Sequence, residues 1–388
     1  MNDKQPFIFL VAGEPSGDEL GGRLMAALTA ATQGNIRFAG VGGPAMEAQG
    51  LESLFPMREL SVMGIMEVLP HIPRILGRVR ETAAAINAQQ PDIVVTIDSP
   101  TFAYRVVQRI DSPRIKRVHY VAPSVWAWRP WRVHKIGRCF DLVLALLPFE
   151  PPFFERVGVA CTFVGHPVVE YGAADGDGVA FRRRHGVGEE EDLICVLPGS
   201  RRSEVSRLGQ EFGAALALLA ARRPGLKAVV PTVPGVERSV RQLAAEWEVP
   251  SVVVMGADEK YGAMAASNAA LAASGTVAVE LALARLPTVI AYRVSALTAA
   301  IFRRLVRVRF VNLINLILNR MIIPERLQEN CQASILAEDL EQLLGPAGEK
   351  QIEEAAEAIA ALSDGGMPPS RRAAQALLDL IAEKPVVS

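Results

Sequence analysis

Short, unbroken apolar runs alternating with helical patterns constrain this chain more than any other feature. FIFLVA (7–12), IRFAGVGG (36–43), DIVVTID (92–98), RVHYVAP (117–123) and DLVLALL (141–147) recur through the first half. Runs this short and this apolar predict strands of a parallel sheet covered on both faces. Helical patterns between them predict a doubly wound α/β fold; after FIFLVA, for example, Leu20, Leu24 and Leu28 fall on one helical face. At residues 171–192 the rhythm pauses in YGAADGDGVAFRRRHGVGEEED, which reads as a linker plus a surface helix. It then restarts with LICVLPGS, KAVVPTV, SVVVMG, AALAAS and TVIAYRV, and Val205, Leu208, Phe212, Leu216 and Leu219 line one face of an intervening helix.

The expectation is two Rossmann-like domains, 1–170 and 171–350, with alanine-rich helices over 351–388 that pack back on one of them, the N-terminal domain for preference. A chain of 388 residues exceeds one ordinary core, and half of it is hydrophobic. A net charge of −1 argues against a global nucleic-acid binder. Cys139, Cys161, Cys195 and Cys331 are too scattered for a disulfide framework or a zinc site, so a reducing cytoplasm suits them. No secretion signal is evident, and no run offers the roughly 20 apolar residues that span a bilayer.

Three glycine turns join strand to helix. In AGEPSGD, Ser16 and Glu19 have capping-box spacing and Gly13 and Gly17 permit a tight bend. The plain reading is a capped helix; the other is a seat for an anion or sugar hydroxyls at Glu14, Ser16 and Gly17. In LPGSRRSEV, Gly199 allows close approach, Ser200 can donate, and Arg201 can fork onto a phosphate, unless these are solvated arginines on a loop. In AASGTVAVELAL, Ser274, Gly275 and Thr276 open a helix whose amides suit a diphosphate. Glu280 lies one turn deeper, where a carboxylate can accept both hydroxyls of a ribose. G-x-G-x-x-G and G-x-x-x-x-G-K-[ST] patterns are absent, so one nucleoside diphosphate fits better than a dinucleotide or ATP.

AGEPSGD, VMGIMEVL, IDSPTF, HYVAPSVWAWRPWRVHKI, LLPFEPPFFE, VGHPVVE, LPGSRRSEV, ASGTVAVELAL and PERLQENC together resemble the lipid-A-disaccharide synthase family, in order from about residue 8 to about 332. The resemblance implies a GT-B fold, two Rossmann-like domains facing a cleft, and inverting glycosyl transfer without metal or other cofactor. The implied donor is UDP-2,3-diacylglucosamine and the acceptor the 6-hydroxyl of 2,3-diacylglucosamine 1-phosphate. Work would be done at the cytoplasmic face of the inner membrane, with a homodimer allowed. A UDP-sugar 2-epimerase or a non-catalytic nucleotide-sugar or lipid binder are the rival readings.

Inversion needs a base, charge stabilisation for the leaving diphosphate, and alignment. Asp98, at the carboxyl end of DIVVTI, is the candidate base, with Ser99 expected to cap the next helix and leave Asp98 free. The alternative is a simple helix start. Glu14, Ser16 and Gly17 would face the cleft from the acceptor side. Arg129, among Trp126, Trp128 and Trp131, can reach a phosphate. The resemblance places Asn315, Glu325 and Gln328 at the nucleotide sugar; Glu325 and Gln328 are expected to share a helix face, and Asn312 or Asn319 compete with Asn315. The stretches 61–80 and 297–310 mix apolar residues with arginine, as a membrane-surface segment does. His166, at a strand end, is left out of the catalytic set, because a lone histidine is more often a hydrogen-bonded structural residue.

Overall fold

The computed structural model describes residues 5–60, 72–126, 132–294, 308–363 and 366–383. Two compact units divide the chain: Met1–Pro167 with Ser363–Ser388, and Val168–Leu362. The helix Pro346–Ser363 therefore ends the second unit, whereas Pro369–Ala382 belongs to the first, a different division from boundaries at 170 and 350.

The first unit is built on β1 (Phe7–Ala12), β2 (Arg37–Val41), β3 (Ile93–Ile97), β4 (Lys116–Tyr120), β5 (Leu142–Ala145) and β6 (Ala160–Phe163). They form one parallel sheet in the order β2-β1-β3-β4-β5-β6. Side chains alternate along a strand. In β1, Ile8, Leu10 and Ala12 enter one core and Phe9 and Val11 the other, so both faces are covered. The first of these cores receives Leu20, Leu24 and Leu28 from the helix Pro15–Ala31 and Ala373, Ala374 and Leu377 from Pro369–Ala382.

The second unit repeats the plan with β7 (Leu193–Leu197), β8 (Lys227–Thr232), β9 (Ser251–Met255), β10 (Ala269–Ala273), β11 (Thr288–Tyr292) and β12 (Glu325–Leu327). The order is β12-β11-β10-β7-β8-β9, again all parallel. Val205, Leu208, Phe212, Leu216 and Leu219 are buried in its core from the helix Arg202–Ala220. Gln351 ties Pro346–Ser363 to β11 by accepting from Thr288 N at 2.6 Å and donating back to Thr288 O at 3.2 Å.

The surface helix expected within residues 171–192 is Gly178–His185, and it is anchored to the second unit. Phe181 of the helix Gly178–His185 is fully buried, and Arg182 donates to Ala266 O (2.8 Å), Gly188 O (2.6 Å) and Asn268 Oδ1 (2.9 Å). Glycine is required at 176 and 178, because a Cβ there would meet the Tyr261 and Ala265 carbonyl oxygens at 2.1 and 2.5 Å. Glycine here serves packing rather than flexibility.

His119 of β4 is buried between Thr96, whose Oγ1 lies 2.8 Å from its Nδ1, and the ring of Phe140 at 5.0 Å; among the described residues Nε2 has no partner. Burial pushes its pKa down to about 4, and His166 shares that shift for the same reason. Each stays neutral in the folded state while the unfolded chain takes up a proton below about 6.5. Stability is then lost as pH falls from about 6.5 towards 4. His119→Phe should gain on the wild type by up to about 3 kcal/mol over that window, measured by urea denaturation at pH 7 and 4.5. A pH-independent difference would contradict this account.

Candidate functional site

Ligands of open α/β sheets collect where strand order reverses, because neighbouring connections leave to opposite faces there. In the first unit this is between β1 and β3. Asp98 and the AGEPSGD turn leave these two adjacent strand ends. Ser99 Oγ donates to Glu14 Oε1 at 3.3 Å, and a Cβ on Gly13 would strike Ser99 Oγ at 2.7 Å. Asp98 and Ser99 both hold left-handed conformations, with φ of 53° and 43°. For non-glycine residues each costs about 1–3 kcal/mol and is held only by its surroundings. Asp98 is fixed at one end by its N–H, which donates to Tyr120 O at 3.0 Å.

Two local expectations change. Ser99 does not cap the helix Pro100–Val107: its left-handed backbone turns Oγ towards Glu14, and its N–H donates to Asp98 Oδ1 at 2.8 Å. Ser16 and Glu19 form no capping box, because Pro15 occupies the first helical position and makes Glu14 the residue before the helix. Ser16 is exposed, while Gly17 faces the sheet, where a Cβ would sit 3.3 Å from Ile97 O. Asp18, which the motif reading passed over, is buried and accepts from Gly43 N, Ala45 N and Met46 N at 2.8–3.0 Å. It thereby stabilises the start of the helix Pro44–Glu47.

In the second unit the reversal lies between β7 and β10. Leu197 pairs with Ala272, so the turns at Gly199–Arg201 and Ser274–Thr276 leave neighbouring strand ends. Gly199 has φ of 115°, and a Cβ there would meet Glu204 Oε2 at 2.5 Å. Glu204 is buried; its Oε2 accepts from Ser200 N (3.1 Å) and Arg201 N (3.3 Å), and its Oε1 from Arg201 Nη1 (3.1 Å). The helix start expected to greet a phosphate already holds a carboxylate. Arg201 is otherwise exposed, with its outer guanidinium edge turned to solvent.

Among the described residues no such carboxylate lies on the second turn. Gly275 and Thr276 are exposed and Thr276 precedes the helix Val277–Leu283 without a side-chain cap. Glu280 of this helix is buried; Lys260 Nζ donates to its Oε2 at 2.6 Å and Tyr261 Oη to its Oε1 at 3.3 Å. Both partners stand on the helix Ala257–Ala266, 19 and 20 residues away in sequence, where no local pattern announces them.

Glu325 and Gln328 do not share a helix face. Glu325 begins β12 and Gln328 a 3-10 turn with φ of 53°. Glu325 accepts from Val311 N (2.9 Å), Asn312 N (3.1 Å), Asn312 Nδ2 (2.8 Å) and Asn315 Nδ2 (2.9 Å). Asn315 is fully buried; its Oδ1 accepts from Ile322 N and Ile323 N, and its Nδ2 also donates to Ile323 O. Its amide is therefore spent inside the fold. Asn312 caps the helix Leu313–Leu318 and Asn319 ends it in a left-handed conformation. Gln328, with its amide oriented to satisfy both ends, pairs with the Val294 backbone at 3.2 and 3.1 Å.

Arg129, Trp128 and Trp131 lie outside the described residues, as do 61–71 and 297–307 of the arginine-rich stretches. Of the first stretch, Arg78 is committed internally, forking onto Glu59 at 3.0 Å through both Nε and Nη2. Trp126 Nε1 donates to Glu150 Oε1 at 3.0 Å, and its ring meets Phe149 edge-on at 5.1 Å. Glu150 also accepts from Leu146 N and Leu147 N at 3.1 and 3.0 Å. Burial nevertheless pushes its pKa up to about 7.

Between about pH 4.5 and 7 the folded chain keeps a proton on Glu150 that the unfolded chain has released, so this group's contribution falls as pH rises through that window. Glu150→Gln should therefore cost most near pH 5 and up to about 3 kcal/mol less at pH 8, read from urea unfolding at both. Glu204→Ala, which strips two amides of their acceptor, should cost about 1 kcal/mol in the same urea measurement. An unchanged denaturation midpoint would mean that water replaces the carboxylate at no cost.

Among the described residues no helix is long and apolar enough to cross a membrane. A family model described as Lipid-A-disaccharide synthetase matches residues 8–377. Curated relatives named lipid-A-disaccharide synthase include one from Rhodospirillum centenum, 54% identical over 98% of this chain and 96% of its own. Another, from Paramagnetospirillum magneticum, is 50% identical over 97% and 98%. Solved structures similar in fold include Staphylococcus aureus MnaA with UDP (TM-score 0.63, 14% identity, 98% of this chain and 99% of that one). Acinetobacter baumannii MurG is similar at TM-score 0.58 and 14% identity, over 98% and 100%.

Proposed function

The chain belongs to the lipid-A-disaccharide synthase family, and from that premise we propose how its residues divide the work of glycosyl transfer. It is a glycosyltransferase of the GT-B fold. The donor is UDP-2,3-diacylglucosamine and the acceptor 2,3-diacylglucosamine 1-phosphate. Asp98 takes the proton from the acceptor 6-hydroxyl as that oxygen attacks the anomeric carbon. The bond from this carbon to the diphosphate oxygen breaks, its electron pair leaves with UDP, and attack from the opposite face inverts the centre. Glu14, Ser16 and Gly17 flank the acceptor.

In the second unit, Arg201 meets the diphosphate with the guanidinium edge that Glu204 leaves open. Ser274, Gly275 and Thr276 offer unblocked donors, and Glu280 accepts the ribose hydroxyls. Gly199 and Ser200 shape the Arg201 turn. Asn315 and Glu325 hold the 311–325 segment in place, and Gln328 pins Val294. Arg129 adds a phosphate contact. The chain works on the cytoplasmic membrane surface; exposed Ile72, within the first arginine-rich stretch, and exposed Val311, next to the second, support this.

The observation that carries the proposal is the placement of Asp98, a carboxylate in a costly left-handed backbone at the point where strand order reverses. Epimerases share the fold at 10–15% identity, which speaks to architecture alone. Asp98→Asn should lower transfer between the two acylated substrates by roughly a hundred- to ten-thousandfold, followed by mass spectrometry. UDP affinity, from calorimetry, should stay within threefold. Activity within tenfold of wild type would remove Asp98 as the base.

A further inference from the structure

Buried carboxylates in this chain mostly have their acceptor capacity filled. Asp18, Glu150, Glu204 and Glu325 each receive two or more backbone N–H groups. Asp339 takes the Arg326 guanidinium on both oxygens at 2.6 Å. Glu280 differs. Among the described residues its partners are one ammonium and one phenol, the latter at 3.3 Å, although a carboxylate offers about four acceptor positions. A buried carboxylate with acceptor positions to spare is built to take further donors, and paired sugar hydroxyls are donors of that kind.

We propose that Lys260 and Tyr261 are positioning residues that aim Glu280 at the ribose of the nucleotide and thereby set selection for a ribonucleotide. The inference rests on the reading of the second unit as the nucleotide-sugar site. Lys260 supplies the positive charge that a carboxylate removed from water requires. It grips Oε2 alone, and its own acidic neighbour Glu259 is engaged elsewhere, by Arg184 and His185 at 2.7 Å each. Tyr261 Oη approaches Oε1 and limits rotation of the carboxylate about its last bond. The ammonium also lies 5.3 Å from the Tyr261 ring centroid, so the two side chains brace each other. With one oxygen clamped and the other lightly held, the free lone pairs keep a fixed direction. Since a hydroxyl donating to a charged acceptor is worth more than one donating to a neutral group, loss of the 2′-hydroxyl should be penalised sharply.

The test compares UDP, 2′-deoxy-UDP and inorganic pyrophosphate by calorimetry on the full chain, with melting temperatures as the check on folding. The wild type should prefer UDP to its 2′-deoxy form by at least about tenfold. Lys260→Met should reduce that preference below threefold, Lys260→Arg should keep most of it, and Tyr261→Phe should lower it two- to threefold. Pyrophosphate affinity should stay within twofold throughout. A folded Lys260→Met that retains the tenfold preference overturns the proposal, and if that variant does not fold, an unchanged preference in Tyr261→Phe does so. A wild type that binds UDP and the 2′-deoxy form equally removes Glu280 from the ribose and the inference with it. A wild type that binds neither overturns the nucleotide-sugar reading itself.

Discussion

Parallel strands covered on both faces can present chemistry only at their ends. In each unit the sheet interior is apolar on its two sides, so a polar ligand finds neither an open face nor a wet strand. The connections diverge where strand order reverses, and the loops there are free of packing against one another's helices. β1 with β3, and β7 with β10, are those places. Residues of AGEPSGD and Asp98 leave the first pair, and LPGSRRSEV and ASGT leave the second. The position of the candidate chemistry is thus a consequence of burying the sheets.

A second regularity is the use of buried carboxyl groups as internal acceptors, ionised or, at Glu150, holding a proton up to about pH 7. Asp18, Glu150, Glu204 and Glu325 all close loops or helix starts by accepting backbone N–H groups. An unpaired buried amide costs about 1–3 kcal/mol, so a carboxylate that reaches two or three of them repays part of its own desolvation. Glu204 shows what this means for recognition. A glycine turn at a helix start looks like a phosphate seat, yet its amides are already taken, and the turn's contribution to an anion passes to the outer edge of Arg201.

Much of the architecture was legible in the residues. The apolar runs that became β1–β5 and β7–β11 lie where they were read, and both leucine-rich helix faces are buried. The two strands that escaped notice are two of the four edges: β6, which is half exposed, and β12, three residues long and led by a glutamate; the other edges, β2 and β9, carry enough apolar residues to be read. Edge strands lack the double burial that makes a central strand read as a solid apolar run. The capping of the Arg202–Ala220 helix by Glu204 was not read from the sequence, because Arg201 at the preceding position is no capping residue, and the spacing of Ser16 and Glu19 misled because Pro15 set the helix start earlier.

Sequence alone determined most of the strands and helices, where the chain turns, and which family it belongs to, because hydrophobic period and motif spacing are local properties. Tertiary structure alone decided which polar groups remain open to a ligand. Donor and acceptor capacity is finite, and the partner that fills it can come from far along the chain: Asp18 reaches residues 43–46, Glu325 reaches 311–315, and Lys260 reaches Glu280. Spacing on a line holds no record of those encounters, and only the folded distances separate a helix start that awaits an anion from one that already has it.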